Sequence, residues 1–154
     1  MKLIRSSNLC IPADRTVAMH QYGEIVDLIK SQYGVRINRW RKNMTGCAWQ
    51  VRYQNGRVIR WIESPYPKSP ISLAIFLHEV GHHVIGFESY KRRCEEEFYA
   101  WNWAIDKMRS LGVEPDLRVT QRFELSMCYA VGKAMRRGIK ELPESLLRFA
   151  REAA

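Results

Sequence analysis

The segment at residues 69–86 reads SPISLAIFLHEVGHHVIG, and its pattern decides how the rest of the chain is interpreted. Ser69 and Pro70 are typical of a helix N-cap and first helical position, and Gly86 is typical of a helix end. The residues before His78 are almost all apolar, which predicts a buried helix. Two imidazoles and a carboxylate at the end of such a helix are costly unless they are paired or bind a metal.

Residues 78–82 of this helix have the pattern HExxH. Because residues four apart lie on the same helix face, His78 and His82 can bind one metal ion. Glu79 then lies beside that ion and can accept a proton from the attacking water. A helix that merely carries two histidines is the alternative, but the flanking residues favour the metal site. We predict His78 and His82 as zinc ligands and Glu79 as the catalytic base.

A third protein ligand is expected, because catalytic zinc usually takes three. Residues 94–108 have helical periodicity, and Glu97 lies at the centre of the apolar stripe of that helix. Glu95 falls on the polar face and Glu96 on the flank, where an acidic first turn favours the helix dipole. That explanation does not cover Glu97, which we predict as the third ligand. Glu96 as ligand, or no glutamate ligand at all, stays open.

The combination of HEVGH with Glu97-x-x-Ala100-x-x-Trp103-Ala104 resembles a known family. It is similar to the ImmA/IrrE-type metallopeptidases, whose pattern is HExxH followed by ExxA and an aromatic-Ala pair. The resemblance covers about residues 66–108. Tryptophans follow the ExxA alanine and precede the final alanine, where the family often has Asn and Phe.

The resemblance implies a small gluzincin-like enzyme of the kind found in bacteria, phages and mobile elements. It implies one Zn²⁺ per chain, held by His78, His82 and Glu97, with Glu79 as the base. It also implies a protein substrate, such as a DNA-associated regulator, because several members act on transcriptional repressors.

The composition of the 154 residues fits one domain, residues 1–154, with 46% hydrophobic and 27% charged residues. No apolar run is long enough to span a membrane, and the first residues lack the apolar region of a secretory signal. The four cysteines are scattered and form no C-x-x-C pair, which predicts reduced thiols and a cytoplasmic protein. They are Cys10, Cys47, Cys94 and Cys128.

The coarse pattern predicts an α+β, zincin-like domain with a small antiparallel sheet between an N-terminal helix and the later helices. Asn55-Gly56 is a strong hairpin signal between two of the strands. The predicted strands are residues 35–41, 47–53 and 58–62, and the predicted helices, besides the HExxH helix, are residues 15–32, 92–110, 119–137 and 143–152. By analogy with zincin-like domains, an edge strand beside the HExxH helix binds the substrate, and residues 58–62 are our candidate for that edge.

The net charge of +9 is concentrated in the N-terminal half. Residues 1–69 hold 12 Lys and Arg against 4 Asp and Glu, and no acidic residue lies between Asp27 and Glu63. Cations interleaved with Trp and Tyr suit phosphate contact and base stacking, although a solvated basic surface is the simpler interpretation. The candidate nucleic-acid-binding residues are Arg36, Arg39, Arg41, Lys42, Arg52, Arg57 and Arg60.

The sequence is compatible with three functions. The first is a zinc metallopeptidase that acts on a protein or peptide. The second is a nucleic-acid-binding protein of a phage or mobile element with a structural or regulatory zinc site, against which the intact Glu79 argues. The third is a metal-dependent hydrolase of another class, because HExxH does not define the bond that is attacked.

Overall fold

The computed structural model describes residues 19–152, and this part of the chain is an α+β protein with five α-helices and a three-stranded sheet. The elements in chain order are α1 (Met19–Tyr33), β1 (Val35–Arg41), β2 (Cys47–Arg52), β3 (Val58–Pro65), α2 (Pro70–Ile85), α3 (Arg93–Ser110), α4 (Leu117–Arg136) and α5 (Leu147–Glu152), the last preceded by a single 3₁₀ turn. The α+β class is therefore confirmed. No helix of the described part is long and apolar enough to cross a membrane.

Strands β2 and β3 form the hairpin that Asn55-Gly56 predicts. The Tyr53 N–H donates to the Arg57 carbonyl at 2.8 Å, which closes the turn. Gly56 has φ of 83°, a left-handed conformation that glycine adopts without steric cost. This turn chemistry fixes the register of the two strands.

The third strand corrects the prediction of an antiparallel sheet. β1 runs parallel to β3, and the strand order is β1-β3-β2, so the sheet is mixed and β3 is its central strand. The prediction that residues 58–62 form the edge beside the HExxH helix is wrong, because β2 is an edge and β3 is not. Burial explains the arrangement: residues 62–65 of β3 are all buried, whereas residues 50–52 of β2 are exposed. The central position removes more of the β3 surface from water.

Helix α2 has the caps that the sequence predicts. Ser69 is the N-cap and exchanges hydrogen bonds with Ser72 in a capping box, Pro70 follows at the first position, and Gly86 ends the helix at φ of 84°. Every residue from 71 to 82 is buried, because α2 packs against the sheet on one side and α3 on the other. The HExxH segment therefore lies in the C-terminal half of an enclosed helix.

Gly81 allows α2 and α3 to approach each other closely. A Cβ atom at this position would lie 2.8 Å from the Ala100 carbonyl oxygen and 3.3 Å from both the Ala100 Cα and a ring carbon of Trp103. A glycine inside a helix lowers helix propensity, and this close contact explains its presence at position 81. The contact lies between His78 and His82 on one helix and one turn from Glu97 on the other, so it sets the distance across the site.

Helix α4 packs against α3 and also contacts α2. Asp116 caps α4 by accepting from the Val119 N–H at 3.0 Å. Phe98 of α3, Phe123 of α4 and Phe149 of α5 form ring contacts with centroids 5.8–6.4 Å apart. This aromatic cluster holds the helix that carries Glu97 between its two neighbours.

Candidate metal centre

The structure brings His78, His82 and Glu97 together at the interface of α2 and α3. The two imidazole Nε2 atoms are 3.2 Å apart. One Glu97 carboxylate oxygen lies 3.1 Å from the His78 Nε2, and the other lies 3.6 Å from the His82 Nε2. These three side chains form the group of metal-binding type found in the described part of the chain.

The three side chains could hold a metal ion such as zinc. Zinc takes nitrogen and oxygen ligands at about 2.0–2.2 Å in a tetrahedral arrangement, in which neighbouring ligand atoms are roughly 3.3 Å apart. The Nε2 atoms of His78 and His82 are 3.2 Å apart, which is close to that value, and the two Glu97 oxygens lie 3.1 Å from the first and 3.6 Å from the second. The donor set of two imidazoles and one carboxylate leaves a fourth position open, which is the composition of a catalytic zinc site.

Glu96 holds His82 in the orientation that a ligand needs. Its carboxylate lies 3.0 Å from the His82 Nδ1, which leaves the Nε2 directed at the centre. Arg93 joins the two acidic residues, with one nitrogen 2.7 Å from Glu96 and another 3.1 Å from Glu97. A carboxylate behind a ligating histidine fixes its tautomer and raises its basicity.

The role of Glu96 in orienting His82 was not predicted, because the sequence periodicity places Glu96 on the flank of its helix. Glu96 is in fact 4% exposed, whereas the Glu97 side chain is 22% exposed because it faces a cavity. The buried face of α3 is wide, since both α2 and α4 pack on it. The spacing of Glu96 with the buried Ala100 and Ala104 was the available signal.

We expect Glu96→Ala to weaken zinc binding by about 10–100-fold while the ion still binds. The physical reason is that His82 loses the partner that orients its ring. Competition with a chromophoric chelator measures the affinity. Glu95→Ala is the matched control, because Glu95 pairs with Arg92 at 3.3 Å, away from His82, and the variant should leave the affinity unchanged. Unchanged binding in Glu96→Ala contradicts the orienting role, and complete loss of zinc there makes Glu96 a ligand instead.

His78 is held by an aromatic ring rather than by a carboxylate. Its imidazole stacks on Trp101 with ring centroids 4.3 Å apart, and its Nδ1 has no hydrogen-bond partner among residues 19–152. Burial lowers the pKa of His78 to about 4. The ring is therefore neutral at physiological pH, which is the protonation state that binds a metal.

The carboxylate of Glu97 is suited to the same task. Burial acts to raise its pKa, but contacts with His78 and His82 outweigh burial and hold the pKa of Glu97 well below its usual range. The Glu97 carboxyl is thus ionised, which is the form that binds a cation.

Glu79 lies next to this group but outside it. The residue is 5% exposed and lines the cavity, and burial raises its pKa to about 7. A carboxyl with a pKa near 7 can accept a proton at neutral pH and give it up again. The loop before β2 fits closely around it, because a Cβ atom on Gly46 would lie 2.6–2.7 Å from the Cγ and Cδ of Glu79.

A cavity of about 650 Å³ opens in front of the four residues. Its walls come from residues 45–48, from α2 and α3, and from one side of α4. Tyr129 lines the cavity and its hydroxyl could serve a reaction there, whereas Tyr90 and Tyr99 stack on each other with ring centroids 4.5 Å apart. Such a volume accommodates part of a peptide.

Among the described residues, His83 and the cysteines are not part of the group formed by His78, His82 and Glu97. His83 donates a hydrogen bond from its Nε2 to the Trp61 carbonyl, 3.0 Å away, and so points to the sheet. Cys94 is buried, as expected for a structural thiol, and Cys47 lies at the cavity wall. Cys10 lies outside the described residues.

The seven basic residues predicted to bind nucleic acid do not share one face of the sheet. By strand alternation and register, one face carries Arg36, Arg39 and Arg41, and the other carries Arg52 and Arg60. Lys42 follows β1, and Arg57 lies in the hairpin turn, where its guanidinium stands 4.7 Å from the Tyr53 ring centre. Nucleic-acid binding stays a prediction, and a surface that uses all seven would have to wrap around the sheet.

Glu63 engages two of these arginines. Its carboxylate, 7% exposed by residue, accepts from Asn38 at 2.6 Å, from Arg39 at 3.1 Å and from Arg41 at 2.9 Å. Arg41 also donates to Thr45 at 2.9 Å. The Glu63 cluster therefore anchors the loop that passes Glu79.

We expect Glu63→Gln to destabilise the fold at neutral pH and to do so much less in acid. The hydrogen bonds from Asn38 and Arg41 lower the pKa of Glu63 from 4.5 to about 2. A lowered pKa stabilises the fold fully above the unfolded value of 4.5, and this contribution is lost as the pH falls through about 2. Urea unfolding at about pH 7 and about pH 2.5 measures it. The exposed Glu141→Gln is the control, and an equal loss at both pH values in Glu63→Gln contradicts the linkage.

Comparison of the chain with protein-family models, with curated proteins and with solved structures finds no match. The candidate site is accordingly described by its own geometry. Two imidazoles and one carboxylate can hold a metal ion, and a second buried carboxyl faces the cavity beside them.

Proposed function

We propose that the protein is a zinc-dependent metallopeptidase with a zincin-like arrangement of sheet, HExxH helix and glutamate helix. One observation carries the proposal. Glu79 is buried against the convergent group of His78, His82 and Glu97, faces the cavity, and is not needed to hold a metal. A purely structural site has no use for such a carboxylate, whereas hydrolysis requires a base there.

The chemistry follows from the roles that these residues can perform. A zinc ion held by His78, His82 and Glu97 supplies a Lewis acid that polarises a carbonyl and makes water more acidic. Glu79 accepts the proton of the attacking water and delivers it to the leaving amine. Glu96 keeps the His82 ring fixed throughout, and the loop at Gly46 packs closely against Glu79.

Strand β2 is the proposed binding edge for the substrate, in place of the central β3. It pairs with β3 along one side, and the residues at its start, 45–48, form a wall of the cavity. An extended peptide can add to such an edge through main-chain hydrogen bonds. The scissile bond would then lie beside Glu79.

The resemblance to the ImmA/IrrE-type metallopeptidases extends this proposal to the substrate. A DNA-associated regulatory protein is the substrate that the resemblance supports. The enzyme class itself does not depend on this part of the proposal, because any peptide bond in an accessible segment would serve the chemistry.

Incubation of the zinc-loaded protein with a diverse mixture of unstructured peptides tests the enzyme class. We expect new peptide termini in mass spectra, their loss after treatment with a zinc chelator, and their return when zinc is added back. A matched assay with ester and phosphoester substrates distinguishes a hydrolase of another class. Peptides that remain intact in the presence of full zinc occupancy contradict the proposal.

A further inference from the structure

The side of α4 that lines the cavity carries an unusual amount of positive charge. The polar cavity-lining positions of α4 and its cap are spaced four, three, four and four residues apart, which places them on one helix face, and Ala130 and Ala134 line the cavity beside them. The polar positions are Arg122, Ser126, Tyr129, Lys133 and Arg137. We call this set the α4 wall, and three of its five members are cationic.

The opposite rim of the cavity adds to the charge imbalance. Lys91, Arg92 and Arg93 also line it, and the acidic residues that line it are Glu79 and Glu97 of the candidate centre. Arg92 and Arg93 form ion pairs with glutamates of α3, so their charge is already matched. The unmatched charge therefore lies mainly on the α4 wall.

The cations of the α4 wall have no acidic partner within residues 19–152. Arg122, Lys133 and Arg137 form no ion pair there, although Lys133 stands 6.0 Å from the Tyr129 ring centre. Arg122 is close enough to the centre for its charge to lower the pKa of His78. Unpaired cations along a concave surface attract an anionic ligand more strongly than the same charges on an open surface.

We propose that the α4 wall binds carboxylate side chains of the substrate and so makes the enzyme selective for acidic peptides, an inference that rests on the proposed peptidase function. Arg122 and Lys133 are eleven residues apart, which is about 16 Å along a helix. An extended peptide covers that distance in about five residues. The selected acidic residues therefore lie within about five positions of the scissile bond, on one side of it.

The carboxylates at the centre favour a peptide over a nucleic acid as the bound polyanion. A polynucleotide carries a phosphate at every step, so its charges would meet Glu79 and Glu97 as well as the cations. A peptide presents an uncharged backbone to the centre and places charge only where an acidic side chain occurs. Its charge pattern can thus match the cavity.

Binding of short fluorescent peptides to the zinc-loaded full chain with Glu79→Gln tests the inference without consuming the ligand. One peptide has glutamates at alternate positions, a second has glutamines there, and both have amidated C-termini. We expect the glutamate peptide to bind about tenfold more tightly at low salt, with the preference shrinking as salt is added. A glutamine peptide with a free C-terminus shows whether a terminal carboxylate is preferred instead.

Two charge-reversed proteins show where the preference arises. Lys133→Glu with Arg137→Glu should abolish it, whereas Arg118→Glu with Arg136→Glu should keep it, because those exposed residues of α4 do not line the cavity. Equal binding of the two amidated peptides overturns the inference, as does a preference confined to the free C-terminus. Tighter binding of single-stranded DNA that is lost in the first double variant also overturns it.

The outcomes separate this inference from the proposed function. A preference for glutamate peptides that the parent protein binds but does not cleave contradicts the peptidase proposal alone. Cleavage by the parent protein with no preference for acidic sites contradicts the role of the α4 wall alone.

Discussion

Glu79→Gln should lower the rate of peptide hydrolysis by between about a hundredfold and about ten-thousandfold while the protein keeps its zinc. The amide has nearly the shape of the carboxylate, so the buried position beside Gly46 remains filled. It cannot accept the proton of the attacking water, and this step is the one that the carboxylate contributes. Steady-state cleavage of a peptide identified from the mixture, measured beside the zinc content, provides the test.

The interpretation of that variant depends on two controls. Glu95→Gln changes a nearby glutamate that pairs with Arg92 outside the centre, and it should retain the parent rate. Circular dichroism shows whether both variants keep the fold. If Glu79→Gln hydrolyses peptides as fast as the parent protein, the proposed mechanism is wrong, whatever the metal content.

Replacement of any one of His78, His82 and Glu97 by alanine should weaken zinc binding by about a thousandfold or more. Each side chain supplies one of three atoms that lie within 4.8 Å of one another, and two ligands alone hold zinc poorly. Elemental analysis of the purified variants gives the metal content per chain. We expect one zinc in the parent protein and in Glu79→Gln, and none after dialysis in the three alanine variants.

Glu96 provides the decisive comparison for this ligand set. Glu97→Ala should lose zinc, whereas Glu96→Ala should keep a weakened site, because Glu96 contacts His82 from behind, at the Nδ1. The reverse result, full zinc in Glu97→Ala and none in Glu96→Ala, would show that the carboxylate facing the cavity is not the ligand. That reverse result is the one expected if Glu96, rather than Glu97, is the third ligand.

Local patterns predicted the parts of the fold that depend on neighbouring residues. The caps at Ser69 and Gly86 mark the ends of α2, and Asn55-Gly56 marks the β2–β3 hairpin, because such signals act within a few residues. The pairing of β1 with β3 was not predictable in this way. The two strands are distant in sequence and joined by no turn, so their contact reflects how much apolar surface β3 buries in the centre.

The candidate site likewise has parts that nearby residues predict and parts that depend on distant packing. The i, i+4 spacing of His78 and His82 places both on one helix face, and the phase of Glu97 brings it to the same point. The contact of Glu96 with His82 was not predicted, because the position of Glu96 was compared with a single apolar stripe. Helix α3 is in fact covered on two sides. The α4 wall was not predicted for another reason. Its three cations are spread over about four helical turns and form no sequence motif, and only the fold places them along one cavity.

The contact of Gly81 with Ala100 has a consequence for the choice of ion. It brings the backbone of the helix of the two histidines against the backbone of the helix of Glu97, beside the Trp103 ring, and so limits the distance between the two helices. Bond lengths of about 2.0–2.2 Å for zinc and about 2.3–2.6 Å for calcium differ by only a few tenths of an ångström. One methyl group at position 81 would need a comparable shift of the backbone. We therefore expect a methyl group at position 81 to change the spacing of the three proposed ligands by about as much as these two ions differ in bond length.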